Sequence, residues 1–268
     1  MSSPEFLPFP FTSVVLTGGS SGIGKSFIEH IGKLTPDVPI CNLSRRPAEG
    51  FSAELKRRQV TVDLSDSASR SSAIGEVLDF LDEARTDGPV LLINNAGFGS
   101  YGEFHQSDST AQREIIEVNL NAIIDLTSGL MPTLLRRGGV VMNVASITAF
   151  QPTPYIATYG ATKAFLLQWG YSLRYELRDT GVKVMTVCPG STVTPFHDRA
   201  GMQISGPTSK LAQTPDQVAA EALVALARGK AHVVTGWSNK LMSKLATILP
   251  WGLATSISGR VLAHLRRS

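Results

Sequence analysis

Six short runs of nearly unbroken apolar character punctuate the first two thirds of the chain. Val14–Thr17, Val38–Leu43, Gln59–Val62, Val90–Ile93, Gly139–Val144 and Val182–Val187 are rich in Val, Ile and Leu and lack regular polar alternation. Such runs suit strands covered on both faces of a parallel sheet. Between them lie longer segments with apolar residues at helical spacing: Ile23–Leu34, Ser67–Arg85, Ala111–Arg136 and Ala157–Asp179. Strands alternating with helices predict an α/β fold, a single-domain, doubly wound parallel sheet with helices on both faces. Met131-Pro132 falls inside the third helical segment and predicts a kink or an early end there.

Composition narrows the picture a little. The chain has 268 residues, 43% of them hydrophobic, enough for one large core. Cys41 and Cys188 sit in strand-like runs and read as inert buried thiols rather than a disulfide or metal pair. No uncharged apolar stretch reaches the roughly 18 residues of a membrane span, and "MSSPEFLPFPF" lacks the basic start of a secretory signal. The expected location is cytoplasmic. The net charge of +3 says little about partners, and no nucleic-acid partner is expected.

Chemistry enters at "TGGSSGIG", Thr17 to Gly24, between the first strand and the first helix. Gly18, Gly22 and Gly24 let backbone approach a pyrophosphate without Cβ atoms in the way. Unpaired amides at the helix N-terminus favour an anion, and Ser20 and Ser21 add hydroxyl donors. The spacing, G-x-x-x-G-x-G, departs from the usual dinucleotide fingerprint. The second strand ends in "CNLSRRP". It carries Ser44, Arg45 and Arg46 where an acid would bind the 2′-hydroxyl of NAD, and arginine suits the 2′-phosphate of NADP. The third strand ends in "VDLSD", where Asp63, with Leu64 beside it, either accepts a hydrogen bond from adenine or caps the following helix, as Ser65 or Asp66 might.

The second half carries "INNAG" at 93–97 and "ASITAFQPTPYIATYGATKA" at 145–164. Tyr159 and Lys163 are four apart and share a helix face. A phenol ordinarily titrates near ~10, and a lysine cation within about 4–6 Å lowers that by roughly 1–3 units. The pair reads as a tuned general acid/base. Ser146 ends the fifth strand, at the carboxyl edge where ligands bind. Together with "VNL" containing Asn119 and "CPGSTVT" at 188–194, these pieces resemble the short-chain dehydrogenase/reductase family, whose own loop is T-G-x-x-x-G-x-G.

The resemblance covers roughly Val14 to Thr194 and implies a Rossmann-like fold of the NADP-preferring ketoreductase type. It implies that Asn119 orients a water linking Lys163 to solvent and that amides near Ser21 and Ile23 face phosphate. Asn95, Ala96 and Gly97 would pack along the adenosine side. Tyr159 and Lys163 would hold the nicotinamide ribose, while Pro189, Gly190 and Thr194 frame the nicotinamide amide. A homodimer or tetramer pairing through the two long helices is also implied. The expected division is an N-terminal extension (1–12), a dinucleotide-binding and catalytic domain (13–236) and a basic C-terminal segment (237–268).

Loops after the strands bring Phe98, Tyr101, Phe104, Ile147, Phe150, Tyr155, Phe196, His197 and Met202 to the substrate side. That set predicts a hydrophobic carbonyl or alcohol substrate. His197 reads either as a substrate contact or as a structural histidine. The expected function is NADP-dependent interconversion of a hydrophobic ketone and a secondary alcohol, with Tyr159 as general acid/base. A non-catalytic nucleotide-binding regulator is the alternative, and the intact Ser146, Tyr159 and Lys163 weigh against it. An epimerase or dehydratase would need a longer C-terminal substrate domain. No acidic residue follows Glu221, whereas Arg228, Lys230, Lys240, Lys244, Arg260, Arg266 and Arg267 do. Leu241, Met242, Leu245, Ile248, Leu249, Trp251, Leu253, Ile257, Val261, Leu262 and Leu265 recur there at helical spacing. This pattern fits weak peripheral contact with an anionic membrane, or a face that packs on the substrate loops or a partner subunit.

Overall fold

Successive residues of each strand serve opposite sides of one sheet. Val15, Leu92, Val141 and Val184 pack on one side, with Val77, Leu126, Leu130 and Leu173. Val14, Leu16, Leu91, Ile93, Met142 and Met185 pack on the other, with Phe27, Ile28, Ala219 and Ala222. Two apolar faces need two layers of helices, which is why the strands show no polar alternation. The computed structural model describes residues 10–49, 56–84, 86–202 and 212–263. Its strands are β1 (Ser13–Thr17), β2 (Ile40–Leu43), β3 (Arg57–Val60), β4 (Val90–Asn94), β5 (Gly139–Val144), β6 (Val182–Cys188) and β7 (His232–Val234). They pair in parallel in the order β3-β2-β1-β4-β5-β6-β7. The helices are α1 (Gly22–Leu34), α2 (Ser67–Glu83), α3 (Ser109–Ile116), α4 (Ala122–Arg137), α5 (Ala157–Glu176), α6 (Phe196–Ala200), α7 (Pro215–Ala227), α8 (Trp237–Ile248) and α9 (Trp251–Ala263).

The order reverses between β1 and β4, so the loops leaving their carboxyl ends splay apart and open a crevice. The glycine loop leaves β1 there, and "INNAG" closes β4.

Several elements differ from expectation. β3 lies two residues earlier than the Gln59–Val62 run suggests, because its partner β2 pairs Ile40 with Arg57 and Leu43 with Val60. The long third helix widens into a π turn at Glu117–Asn121, its backbone helical on both sides, and does not end at Pro132, which α4 carries within it. Pro132 and Ser128, whose carbonyl loses its helical partner, are both exposed, on the side of the helix where solvent can compensate. Buried Arg70 ties the π turn to α2, reaching Glu117 at 3.1 Å and Asp125 at 2.7 Å. Residues 1–9 of the N-terminal extension, and Leu265, Arg266 and Arg267 of the tail, lie outside the described residues. Phe11 is buried, and the Thr12 amide donates to the Pro89 carbonyl at 2.9 Å. Both cysteines are buried free thiols, each pushed up to about 12 by desolvation. Among the described residues, no helix is long and apolar enough to cross a membrane.

Candidate active site

One cavity of about 1120 Å³ follows the crevice from the glycine loop to α8 and α9. Every residue expected to serve catalysis or the cofactor lines it except Gly24 and Asn119. At the β1 end, Gly18 (φ +74°) and Gly22 (φ +55°) adopt backbone conformations that disfavour a side chain. Ser21 is the N-cap of α1, yet its side chain makes no capping bond. The helix therefore presents its first amides and a hydroxyl to the cavity. Gly24 serves the loop from behind: a Cβ there would stand 2.3 Å from the Gly18 carbonyl oxygen. Asn95 clips β4 to the loop, donating from Nδ2 to the Thr17 carbonyl at 2.9 Å, while the Ala96 amide donates to Thr17 Oγ1 at 2.9 Å.

The arginine turn is braced by amides. Asn42 Oδ1 accepts from the Gly19 amide at 2.8 Å, and Asn42 Nδ2 donates to Ser44 Oγ at 2.9 Å. The Ser44 hydroxyl donates to the Arg46 carbonyl at 2.6 Å. That bond shapes the turn that carries the arginines. Asp63 Oδ1 accepts from the Ser65 amide at 2.9 Å and hydroxyl at 2.7 Å, and these bonds, with Arg45 nearby, hold its carboxyl below the usual range. Asp66 caps α2 instead, accepting from the Ser69 amide at 2.6 Å. Arg199, on α6, also lines the cavity. Burial and repulsion from Arg46 and Arg45 hold its guanidinium below the ordinary value, so three cations share this end.

The other end holds Ser146, Tyr159 and Lys163. Ser146 Oγ accepts from the Thr148 amide at 3.2 Å, capping a short 3₁₀ turn over Ile147–Phe150. Ser146 stands close enough to the Tyr159 phenol to favour its ionised form, against the larger effect of burial. The Lys163 ammonium lies 5.5 Å from the Tyr159 ring centroid and donates to the Val144 carbonyl at 2.8 Å. Desolvation dominates both groups. It pushes the phenol up to about 12, against the lowering expected from the spacing, and brings the ammonium down to about 8. Asn119 is buried within the π turn. Its Nδ2 donates to the Phe98 carbonyl and to Thr162 Oγ1, both at 3.0 Å, and its Oδ1 accepts from the Phe98 amide at 3.1 Å. Both amide hydrogens are spent, so the side chain offers a water only an acceptor. Gly97 lies between the two groups: a Cβ there would meet Asn119 Oδ1 at 3.1 Å and Lys163 Nζ at 3.2 Å.

The walls correct the list of substrate-side residues. Phe98, Ile147, Phe196, His197 and Met202 line the cavity, whereas Tyr101, Phe104, Phe150 and Tyr155 do not. Phe104 points to solvent, Phe150 packs beneath α5, and Tyr101 pairs with Tyr155 at 5.9 Å. Phe196 lies against Tyr159 at 5.1 Å. His197 hydrogen-bonds the Thr192 carbonyl at 3.2 Å, burial holds its imidazole below the usual histidine value, and Nδ1 has no hydrogen-bond partner among the described residues. Arg199 and Asn239 went unread in the sequence because no motif marks them. Asn239, on α8, packs so closely on Gly190 that a Cβ would stand 2.3 Å from its side chain. A glycine cradle, a bare helix N-terminus, an arginine cluster and a buried ammonium in one crevice fit a nicotinamide dinucleotide.

Comparison with known proteins agrees with that geometry. A sulfoacetaldehyde reductase of Chromohalobacter salexigens is 30% identical over 68% of this chain and 73% of its own. The ketoacyl reductase HetN of a Nostoc species is 28% identical over 88% of this chain and 82% of its own. In fold, the chain is similar to a short-chain dehydrogenase from Sphingobium yanoikuyae in complex with NADPH, with a TM-score of 0.69 and 24% identity over 90% of this chain and 97% of that one. The sequence profile of the short chain dehydrogenases matches residues 12–204, from the residue before β1 past α6, and the chain belongs to that family of oxidoreductases acting on CH–OH and carbonyl groups.

Proposed function

We propose that the protein is an NADP(H)-dependent ketoreductase that interconverts a hydrophobic ketone and its secondary alcohol. The carrying observation is the Tyr159 phenol, buried beside Ser146 and Lys163 in a cavity whose far end gathers Arg45, Arg46 and Arg199. A nicotinamide held in this crevice would supply or accept the hydride at the carbonyl carbon. Tyr159, held protonated by burial, donates its proton to the carbonyl oxygen. Ser146 accepts from Thr148, which leaves its own hydroxyl proton to bond that same oxygen. Lys163 keeps one N–H on Val144 and turns the others to the ribose. Asn119 holds the Phe98 strap and accepts from the water that recharges the lysine. Ser20, Ser21, Gly22 and Ile23 hold the pyrophosphate, with Arg45 and Arg46, joined by Arg199, on the 2′-phosphate.

Phe98, Ile147, Phe196 and Met202 favour an apolar substrate body, and the names of the relatives support reduction of a carbonyl. Incubation with NADPH and a panel of ketones, following NADPH absorbance, tests the reading. Oxidation of NADPH that depends on an apolar ketone is expected. Tight NADPH binding without turnover on any ketone or alcohol would favour a nucleotide-binding regulator.

A further inference from the structure

The last two helices expose many of their large apolar side chains, among them Trp237, Leu241 and Ile248 on α8 and Trp251 and Leu253 on α9. What they bury is small or polar: Asn239, Ser243 and Ala246 on α8, Ala254 and Ser258 on α9. That inner face is fixed by hydrogen bonds. Asn239 Nδ2 donates to the Thr235 carbonyl at 2.8 Å, Ser258 Oγ to the Pro152 carbonyl at 2.8 Å, and Tyr101 Oη to the Leu262 carbonyl at 2.6 Å. The large residues fall into two groups. Met242, Leu245, Leu249 and Ile257 line the cavity. Trp237, Leu241, Ile248, Trp251 and Leu253 do not, and they are 50% to 79% exposed.

Trp237, Leu241, Lys244 and Ile248 follow one another at steps of four, three and four, so they form a single stripe along α8. Trp251 and Leu253 stand exposed on the first turn of α9, just past Pro250. Scattered surface apolar residues are ordinary, but a contiguous patch with two tryptophans marks an interaction site. Its charge identifies the occupant. Lys240 and Lys244 stand on α8 and Arg260 on α9, and no acidic residue follows Glu221, which itself pairs with Lys240 at 3.5 Å. A two-fold contact between copies would bring these cations together on one self-complementary patch. An anionic bilayer surface accepts them. Indoles settle where apolar and wet regions meet, and basic helices with an apolar face lie in that plane.

We propose that the α8–α9 corner docks on an anionic lipid surface and that the ketone substrate reaches the cavity from it, past Leu249, Met242 and Leu245. At the corner, Ile248 and Trp251 are exposed while Leu249, between them in the chain, lines the cavity, so apolar side chains stand at both ends of the approach. The proposal deepens the ketoreductase reading and rests on it for the substrate's class, a lipid-dissolved ketone.

Flotation of the full-length protein with vesicles of phosphatidylcholine, alone or mixed with phosphatidylglycerol, tests it at low and high salt. Flotation with the mixed vesicles at low salt is expected, falling by roughly tenfold or more at high salt or without the anionic lipid. The double variant Ile248→Ser/Trp251→Ser should lose at least about tenfold in binding, with unchanged mass by light scattering and unchanged NADPH fluorescence. Wild-type protein that stays unbound with the anionic vesicles overturns the proposal. So does a variant that floats as well as wild type, or one whose mass halves, which would make the face a contact between copies. Reduction of a small water-soluble ketone is read on the same samples. Turnover without docking sinks the lipid surface alone. Docking without turnover on any ketone supports the surface and removes the ketoreductase reading.

Discussion

At the scale of single residues, burial sets the working state of the candidate acid. A phenol pushed up to about 12 is a standing proton donor across the neutral range. Tyr159→Phe should therefore lower kcat for ketone reduction by ~10²–10⁴-fold while NADPH fluorescence titrations stay unchanged. A loss below tenfold in a folded variant would move the role elsewhere. The lysine sets the pH limit. Burial favours the neutral amine and brings Lys163 down to about 8, so the ammonium is present below that pH and lost above it. The kcat/KM for reduction should be level on the acid side and fall as pH rises through about 8. Lys163→Arg should shift that fall upward, and a limb that ignores the substitution belongs to another group. On the proposed reading, the arginines select the cofactor. Charge-assisted bonds are worth about 1.5–3 kcal/mol each, so one or two give roughly 10- to 1000-fold preference for NADPH over NADH. Arg45→Asp should erase or invert the ratio of kcat/KM values, and equal ratios in the wild type would contradict the arrangement. The spacing of Ser146, Tyr159 and Lys163 was readable because one helix and one strand end carry all three. Arg199 was not, since its approach to Arg45 and Arg46 depends on where α6 folds back across the cavity.

At the scale of elements, uniform burial explains what the sequence revealed. β1, β4, β5 and β6 are apolar on both faces and stand out as runs. β7 does not, because it is three residues long, with His232 only partly covered by Tyr171 and Phe150. The edge strand β3 opens with Arg57, exposed, and so hides its true register. α7 was legible yet unread: "TPDQ" at 214–217 is a capping box, with Thr214 Oγ1 accepting from the Gln217 amide at 3.2 Å and Gln217 Oε1 accepting from the Thr214 amide at 3.0 Å. Losing such a cap costs ~0.5–2 kcal/mol. Thr214→Ala should lower the denaturant midpoint by about 1 kcal/mol of stability and leave NADPH oxidation intact, because α7 packs on α1 away from Tyr159. A larger loss of activity than of stability would tie α7 to the site. The opposite outcome is expected for Gly24→Ala, whose Cβ has no room against the Gly18 carbonyl. There NADPH affinity should fall along with stability.

At the scale of the molecule, the two long helices on one side of the sheet keep apolar residues on their outer faces. α4 exposes Ile124 and Leu135, and α5 exposes Phe165, Tyr171 and Tyr175. Phe165 stacks on Trp169 at 6.1 Å, making a flat aromatic surface with no covering element among the described residues. Chains of this size can cover such faces by symmetric pairing, which places the same patch of two copies together. This surface differs from the α8–α9 corner in charge as well as place: Asp125, Glu176 and Asp179 lie along it beside Arg136, Arg174 and Arg178, so like charges can be offset by opposite ones. The expected assembly is a homo-oligomer joined through α4 and α5, with the cavities and the basic corners left open. Phe165→Asp combined with Ile124→Asp should reduce the mass seen by light scattering to that of one chain, while each subunit still binds NADPH. A wild-type protein that already runs as a single chain at micromolar concentration would refute the pairing. A variant that stays assembled would move the contact to another face.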